Sequence, residues 1–350
     1  MEKYRRKPTV LETCVFLLTI LSVGFVLSKA AQVAIPFMLA FLLTMLFAPL
    51  IHWGQRYRIP ALIMVFVVLA CLIAVFLPLG FFLNSRVQLV LDVMPTYYAK
   101  LVDIGRSLLD EHNVPKDFWV SINWYNTIGR YVSGMTGFML NWLGSMMMVL
   151  VFLVFMLLEV PFVDNRIRMA FVGESGEKVS RVARKIVTQI SKYLRTLAVI
   201  SFVTGCCVFL ALYTLGIDFA LTWGVLAFFL NFIPTIGSIV ASIPPILFAI
   251  VQFYPNWVPA LLTLLALLII QFSIGNLMTP KIMGDALDLS PVVILISLLF
   301  WGLIWGFSGA LLSVPITVMI KIICENIPPL HFVAVMISSA RDDGQGEPGH

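Results

Sequence analysis

Charge is what this sequence has least of. Of its 350 residues, 12% are Asp, Glu, Lys or Arg, and 60% are hydrophobic. A soluble globular chain carries about 25% charged and about 45–50% apolar residues, because its surface needs a polar coat. With half the usual fraction of charged residues, this chain cannot form the polar surface of a soluble protein. The composition therefore predicts an integral membrane protein, and it excludes a disordered chain and a secreted disulfide scaffold.

The sequence also lacks the side-chain patterns of metal sites and of enzymes. Its five cysteines lie in apolar stretches without metal-ligand spacing, so each is interpreted as a packing residue. The histidines are scattered, and no nucleophile lies beside a base. Residues 173–178 lack the spacer and the preceding strand of a phosphate-binding loop. We therefore expect no catalytic residue, no metal ion, no cofactor and no nucleic-acid partner.

What the sequence has instead is a series of long uncharged runs. A helix that crosses a bilayer needs about 20 largely apolar residues. Five segments meet this requirement, with a single acidic residue near the start of the first: 8–28, 30–51, 61–83, 139–158 and 196–217. Residues 219–280 and 289–320 then contain no charge. These lengths predict an all-α protein with seven to eight membrane segments, and no site for signal-peptide cleavage is evident.

The distribution of lysine and arginine predicts the orientation. Positive residues cluster at the start of the chain, in 52–60 and in 164–195, which places these segments in the cytoplasm. The segment 84–138 carries five positive and five negative residues, a balance that suits the outer side. Alternating crossings then leave both termini in the cytoplasm.

Two of the connecting segments have the pattern of amphipathic helices. In the outer segment the stripe is Leu91, Met94, Tyr98, Leu101, Ile104 and Leu108. In the cytoplasmic segment the polar face is basic and holds Arg181, Arg184, Lys185 and Lys192. That helix would either lie on anionic headgroups or connect two crossings while packed on its own bundle. The tail 338–350 is rich in Gly and Asp, which is typical of disorder.

The second half of the chain repeats itself at an offset of 70 to 71 residues. Residues 200–205 match 270–275, 217–220 match 287–290, and 242–244 match 313–315. Each repeat holds one plain crossing and one longer apolar run, 220–252 or 290–322. Such a run makes about 50 Å of helix, too long for one crossing of a ~30 Å hydrocarbon core and too short for two.

We therefore predict that each long run forms two short helices folded into a re-entrant hairpin. The residues that would break the helices are Asn231 to Gly237 in the first run and Gly302 to Gly309 in the second. The positions of Lys281 and Lys321 give the two repeats opposite orientations, and inverted repeats with broken helices are typical of secondary transporters. The predicted segments are 1–83, 84–138, 139–163, 164–195, 196–256, 257–325 and 326–350.

The candidate functional residues follow from this architecture. Breaks in membrane helices free backbone groups that can bind a polar solute, although Pro and Gly can equally kink packed helices. The candidates for the substrate path are Asn231, Pro234, Gly237, Gln271, Asn276, Pro280, Gly306, Gly309 and Pro315. Asp218, Asp288 and Glu159 are candidates for gating or ion coupling. The alternatives are helix N-capping for the two aspartates, an interfacial cap for Glu159 and ties between helices for the amides.

Several motifs resemble those of the autoinducer-2 exporter family. They include Pro36-Phe37, the stretch 155–161, the stretch 231–238, and Phe300-Trp301-Gly302 with 312–315. The resemblance covers residues 8–335. It implies a homopentameric transporter of the bacterial inner membrane that exports autoinducer-2, a small hydroxylated furanone derivative of quorum sensing, without ATP. It also implies functional positions at Pro234, Gly237, Asn276 and Pro280.

Three functions remain open at this point. The first is export of a small polar signal such as autoinducer-2. The second is exchange of Na⁺ or Li⁺ for protons, as in some proteins that resemble this family, through Asp218, Asp288 or Glu159. The third is a membrane scaffold that transports nothing and recruits partners through the basic segment 166–195. The expected partners are a small polar solute, the lipid bilayer and further copies of the chain.

Overall fold

The computed structural model describes residues 10–112, 144–171, 173–234, 236–283 and 288–339. Within these residues every regular element is helical, apart from one isolated β-bridge between Leu289 and Ser338. Seven helical segments of the described chain are long and apolar enough to cross a membrane. The prediction of an all-α integral membrane protein is therefore confirmed, while the inverted relation of the two repeats stays a prediction.

The helices follow the apolar runs of the sequence. In the first half they are α1 (Val10–Lys29), α2 (Ala31–Arg56), α3 (Ala61–His112), α4 (144–159), α5 (Val163–Ala170) and α6 (Glu174–Thr214). In the second half they are α7 (Ala220–Leu230), α8 (Ile236–Phe253), α9 (Val258–Phe272), α10 (Thr279–Met283), α11 (Pro291–Asn326) and α12 (His331–Ile337). A π-helical stretch, Ser273–Met278, joins α9 to α10.

The seven segments able to span a membrane begin with α2. They are Ala31–Arg56, Ala61–Phe82, Gly144–Ala170, Ser175–Thr214, Ile236–Phe253, Val258–Met278 and Pro291–Asn326. Helix α1, the expected first crossing, has 20 residues and is not among them. Large apolar side chains are widely exposed on these segments; Leu303 is 89% exposed and Phe81 71%. Such surfaces are stable where the solvent is lipid rather than water.

Two helices are much longer than a bilayer is thick. Helix α3 has 52 residues, or about 78 Å, of which Ala61–Phe82 is the apolar span. It runs on past Pro95 to His112, so the predicted outer helix is the continuation of the third crossing. Residues 113–138 of the predicted outer segment lie outside the described chain. Helix α6 has 41 residues and likewise joins the predicted basic segment to the next crossing.

The described chain forms two compact units. The first contains residues from Met1–Ala48, Ser145–Ile190 and Asp288–His350. Within it, Phe37 of α2 meets Phe152 of α4 edge to face, with ring centroids 5.6 Å apart. The indole N–H of Trp305 donates a hydrogen bond of 3.0 Å to the carbonyl oxygen of Leu27, which joins α11 to α1.

The second unit contains residues from Pro49–Gly144 and Ser191–Leu287. Its core is a cluster of buried side chains from α6, the loop after it, α7, α8 and α9: Val208, Leu212, Ile217, Ala220, Ala227, Ala241, Ala249, Ala260 and Leu267. Five of these residues are alanines, and small side chains allow membrane helices to approach closely. The core therefore holds α7 and α8 firmly against their neighbours.

Candidate functional site: two helical hairpins

The first long apolar run is divided into two helices. Helix α7 ends at Leu230 and α8 begins at Ile236, and the two helices pack against each other. The peptide N–H of Ile233 donates to the carbonyl oxygen of Leu230 at 2.9 Å, and that of Gly237 donates to Ile233 at 3.1 Å. These turn bonds reverse the chain. We call residues 220–253 hairpin 1.

The turn of hairpin 1 requires a residue without a side chain. A Cβ atom on Gly237 would collide with the carbonyl oxygen of Leu230, so the start of α8 touches the end of α7 backbone to backbone. The side-chain amide of Asn231 donates to the Ser201 hydroxyl at 3.0 Å, and Ser201 is fully buried on α6. Pro234 lies half-buried in the same turn. The structure thus brings together three candidates: Asn231, Pro234 and Gly237.

The second long run folds back at Gly306. This residue has φ 61° and ψ −139°, which interrupts α11 and divides it into arms of 291–305 and 307–326. A Cβ on Gly309 would collide with the carbonyl oxygen of Trp301. The Ser297 hydroxyl donates to the carbonyl oxygen of Ser313 at 3.1 Å, whereas sixteen residues of straight helix would separate them by about 24 Å. We call residues 291–326 hairpin 2.

Buried hydroxyl groups tie the two arms of hairpin 2 together. The Ser297 and Thr317 oxygens are 2.5 Å apart, and the Thr317 hydroxyl donates to the Ser313 carbonyl oxygen at 2.8 Å. All three residues are buried. Pro315 is buried on the same arm as Thr317. Among the candidates in hairpin 2, Gly306 and Gly309 thus lie at the turn and Pro315 lies farther along the second arm.

Asp218 lies where the chain enters hairpin 1. Its carboxylate accepts a hydrogen bond of 2.6 Å from the Tyr97 hydroxyl on α3. Its peptide N–H donates to the side-chain oxygen of Gln252 at 2.9 Å, and the Gln252 amide donates to the carbonyl oxygen of Gly216 at 2.8 Å. Gln252 lies near the end of α8, so these bonds connect the entry and the exit of the hairpin. We call this group the Asp218 cluster.

The surroundings of Tyr97 in this cluster change the pKa of its phenol. Tyr97 is buried, and its ring packs on Phe248 of α8 with centroids 4.8 Å apart. Burial raises the pKa of the Tyr97 phenol well above its ordinary value, and the hydrogen bond and charge of Asp218 raise it further. The phenol therefore stays a hydrogen-bond donor to Asp218 even at the alkaline pH where an ordinary phenol ionises, and this bond links α3 to the entry of hairpin 1.

Asp288 lies where the chain enters hairpin 2. Its carboxylate is 2.7 Å from the ammonium of Lys321, and its carbonyl oxygen is 2.6 Å from the same nitrogen. Glu325, one turn farther along the second arm, is 3.7 Å from Lys321 and 2.6 Å from Lys185 of α6. We call these four residues the Asp288 cluster.

The capping alternatives are corrected by these contacts. The N-cap residues of α7 and α11 are Phe219 and Ser290, so neither Asp218 nor Asp288 caps a helix. Glu159 does pair at the end of α4: its carboxylate is 3.0 Å from the guanidinium of Arg166, and both side chains are largely exposed. Such an exposed pair contributes about 0–1 kcal/mol.

The remaining candidates lie on the stretch from α9 to α10. Gln271 is half-buried near the end of α9, Asn276 is exposed in the π-helix, and Pro280 is in α10. The Asn276 amide donates to the carbonyl oxygen of Phe272 at 3.3 Å, and the Thr279 hydroxyl donates to that of Ile274 at 2.8 Å. Short π-helices often mark functional sites. These three candidates form a separate group from the hairpin turns.

Several important side chains were missed at the level of sequence. Lys321 had a signal, since it is the first charge after the uncharged run 289–320. Tyr97 had none, because it lies 121 residues from Asp218 in the chain. The described residues contain no group of three or more His, Cys, Asp or Glu that could hold a metal ion.

Comparison with known proteins assigns this chain to a family. The family model described as AI-2E family transporter matches residues 14–328. The AI-2 transport protein TqsA of Escherichia coli (strain K12) is 31% identical over 317 residues, which cover 88% of this chain and 90% of that protein. A putative transport protein of Borreliella burgdorferi is 29% identical over 335 residues, which cover 95% of this chain and 92% of that protein.

A third relative, a putative transport protein of Haemophilus influenzae, is 30% identical over 329 residues, which cover 89% of this chain and 92% of that protein. All three relatives are named as transport proteins, and the match extends over nearly their whole length. The long apolar helices and the two hairpins thus lie within the matched region. This multi-pass membrane chain belongs to the AI-2E family of transporters.

Proposed function

We propose that this chain exports a small polar signal molecule, of the autoinducer-2 class, without ATP. It does so in the bacterial inner membrane, with both termini in the cytoplasm, as a homo-oligomer that the family resemblance suggests is a pentamer. The observation that carries the proposal is the broken helix of hairpin 1, whose turn is held by Asn231, Pro234 and Gly237.

The chemistry of a broken membrane helix suits such a solute. The last carbonyl groups of α7 and the first N–H groups of α8 have no partners in a regular helical ladder. In hydrocarbon each unpaired group costs several kcal/mol, so such groups persist only where protein or a polar occupant covers them. A molecule rich in hydroxyl groups can donate to and accept from the backbone, which makes it a suitable occupant.

The carboxylates favour signal export over cation exchange. Asp218 accepts from Tyr97, Asp288 is paired with Lys321, and Glu159 is paired with Arg166. Each candidate for ion coupling is thus already engaged by a protein donor. A neutral polar solute needs no free carboxylate. The name of the relative TqsA, an AI-2 transport protein, points to the same class of solute.

The test is transport by purified protein in liposomes loaded with labelled autoinducer-2. The variant Gly237→Ala forces the turn of hairpin 1 apart, whereas Gly144→Ala adds a Cβ that meets nothing within 4 Å. We expect wild type and Gly144→Ala to release the label and Gly237→Ala to release it at least roughly tenfold more slowly, which corresponds to about 1.4 kcal/mol. The amount of folded protein is equalised by size-exclusion chromatography before reconstitution.

The rival functions give different results in the same liposomes. A scaffold would leave the label inside for all three proteins. A cation–proton antiporter would move protons when a Na⁺ gradient is imposed, and Asp218→Asn or Glu159→Gln would abolish that movement. Release by wild type that is insensitive to Gly237→Ala would overturn the role of the hairpin turn but leave the family assignment intact.

A further inference from the structure

Lys321 is an unusual side chain for its position. It lies on the second arm of hairpin 2 and is 4% exposed, although a lysine is almost never fully buried unless it is paired. Its ammonium contacts three oxygens: the Asp288 carboxylate at 2.7 Å, the Asp288 carbonyl at 2.6 Å and the Glu325 carboxylate at 3.7 Å. Carboxylate and carbonyl oxygens thus surround a buried ammonium, while the Asp288 and Glu325 side chains are themselves 45% and 28% exposed.

The backbone is arranged to present these oxygens. Asp288 has φ 41°, a left-handed conformation that few residues other than glycine adopt, although Asp tolerates it better than most. The residues that follow it are fixed, because Leu289 bridges Ser338 and the Ser290 N–H donates to the Ile337 carbonyl oxygen at 3.0 Å. Both the side chain and the carbonyl of Asp288 can therefore meet the same cation.

The charges in the cluster balance only when Lys321 is present. Asp288 and Glu325 contribute two negative charges, and Lys321 and Lys185 contribute two positive ones. Lys185 is paired with Oε2 of Glu325, whereas Lys321 faces Oε1, and the Lys185 side chain is 44% exposed. Removal of the Lys321 ammonium would leave a partly exposed cavity lined by three oxygens with one uncompensated negative charge, because the Asp288 side chain is 45% exposed and that of Glu325 28%. The loss of stability is therefore smaller than for a fully buried pair.

We propose that these oxygens form a monovalent-cation site whose permanent occupant is the Lys321 ammonium. Carboxylate and carbonyl oxygens are the ligands that Na⁺ and K⁺ prefer, and an ammonium held by its own chain outcompetes dissolved ions because its effective concentration is higher. The inference goes beyond the proposed function, since it holds for any transported solute. It means that wild type needs no Na⁺ or K⁺ at hairpin 2.

The test removes the Lys321 ammonium by substituting a short side chain. The variants Lys321→Ala and Lys321→Ser are purified in detergent, and their thermal unfolding is measured in NaCl, KCl or choline chloride at an equal ionic strength of about 0.1 M. We expect the Tm of wild type to be the same in all three salts. The Tm of both variants should be lower by roughly 5 °C in choline chloride, and Na⁺ or K⁺ should restore at least half of that loss in a saturable way.

Two controls separate a specific site from general salt effects. Lys185→Ala removes the exposed lysine of the same cluster, so its unfolding should not distinguish Na⁺ from choline. The double variant Lys321→Ala with Asp288→Asn neutralises the cavity and removes its carboxylate, so the response to small cations should disappear.

The proposal has clear points of failure. If Na⁺, K⁺ and choline act alike on both Lys321 variants, the cavity is not a cation site. A salt-specific Tm shift in wild type would show that Lys321 does not occupy it. Failure of both variants to accumulate in cell membranes would also contradict the proposal, because abundant cellular K⁺ is expected to fill the vacated site.

Discussion

At the scale of residues, the two aspartates have comparable places but different partners. Asp218 is held by uncharged donors, the Tyr97 hydroxyl and the Gln252 side chain. Asp288 is held by the buried ammonium of Lys321. A hydrogen bond to a charged acceptor contributes about 1.5–3 kcal/mol, while loss of one member of a buried ion pair leaves an uncompensated charge and costs more. Variants of Tyr97 and of Lys321 should therefore differ in severity.

Replacement of Tyr97 by Phe removes one hydroxyl group and keeps the packing of the ring on Phe248. We expect Tyr97→Phe to lower the free energy of unfolding by about 1.5–2 kcal/mol, because the Asp218 carboxylate loses a donor at 2.6 Å but is itself exposed to solvent. Thermal unfolding in detergent measures this loss. The control is Tyr213→Phe, whose side chain is 68% exposed and which should change little. Equal effects of the two substitutions would contradict the role of the hydroxyl.

Alkaline pH should reveal the same hydrogen bond without any mutation. The pKa of Tyr97 is raised in the folded protein, so its contribution is fully present below the unfolded-state pKa of about 10. As the pH rises above about 10, the unfolded chain releases the proton while the folded chain retains it, and stability is lost. We expect the difference in Tm between wild type and Tyr97→Phe to shrink as the pH rises from about 10 to about 12. A constant difference over that range would show that the phenol titrates normally.

At the scale of elements, both hairpins have the same close backbone contact at a glycine in their turns. The carbonyl oxygen near the end of the first arm lies against the α-carbon of a glycine in the second arm, Leu230 against Gly237 and Trp301 against Gly309. This contact brings the arms closer than any side chain would allow. Each turn therefore depends on a glycine, because a Cβ atom at that position would force the two arms apart.

Hairpin 2 offers a matched pair of glycines to test this device. A Cβ on Gly309 would collide with the Trp301 carbonyl oxygen, whereas a Cβ on Gly302 would lie 3.9 Å from the nearest side-chain atom, an ordinary contact. We expect Gly309→Ala to lower the free energy of unfolding by about 3 kcal/mol and Gly302→Ala to change it by less than about 1 kcal/mol. Unfolding by a denaturing detergent, followed by Trp fluorescence, compares the two. The hairpin geometry would be wrong if both variants were equally stable.

The helices of this fold were far more predictable than the contacts between them. Proline and glycine within uncharged runs indicate where a helix cannot continue, and in the structure helices end at Leu230 and bend at Gly306. The same rule fails at Pro78, which lies in the uncharged run 61–83 and which α3 passes through without a break. Proline excludes one hydrogen bond but does not forbid a helix whose other bonds are kept.

The partners of the candidate residues were not predictable for a different reason. Tyr97 and Asp218 are separated by 121 residues, and Lys321 and Asp288 by 33. Their contacts depend on how whole helices pack, which hydrophobic periodicity does not encode. Charge patterning gave the candidates Asp218, Asp288 and Glu159 but could not show that each is held by a neighbouring donor.

At the scale of the whole molecule, two helices are much longer than the ~30 Å hydrocarbon core. Helix α3 continues 30 residues past Phe82. Helix α6 has 41 residues and begins with a basic amphipathic stretch, in which Arg181 and Arg184 are exposed while Ile190 and Tyr193 are buried. The bias of lysine and arginine predicts that the extension of α3 is outside the cell and the start of α6 inside.

Labelling of single cysteines tests that orientation. In a variant whose own cysteines are replaced, Ala99→Cys on α3 and Lys178→Cys on α6 place thiols at exposed positions. We expect a membrane-impermeant maleimide added to intact cells with a permeabilised outer membrane to label position 99 and not position 178. Lysis should make both accessible. The reverse pattern would invert the proposed topology, and labelling of both in intact cells would contradict it.

The length of α3 has a practical consequence. Its distal half stands clear of the apolar span, yet Tyr97 and Ile104 on that half contact hairpin 1 through Phe248, Val251 and Asp218. An antibody fragment or a designed binder that binds the distal half of α3 would act on the entry of hairpin 1 without entering lipid. If the extension of α3 lies outside the cell, as the distribution of lysine and arginine predicts, a drug reaches this surface without crossing the bilayer.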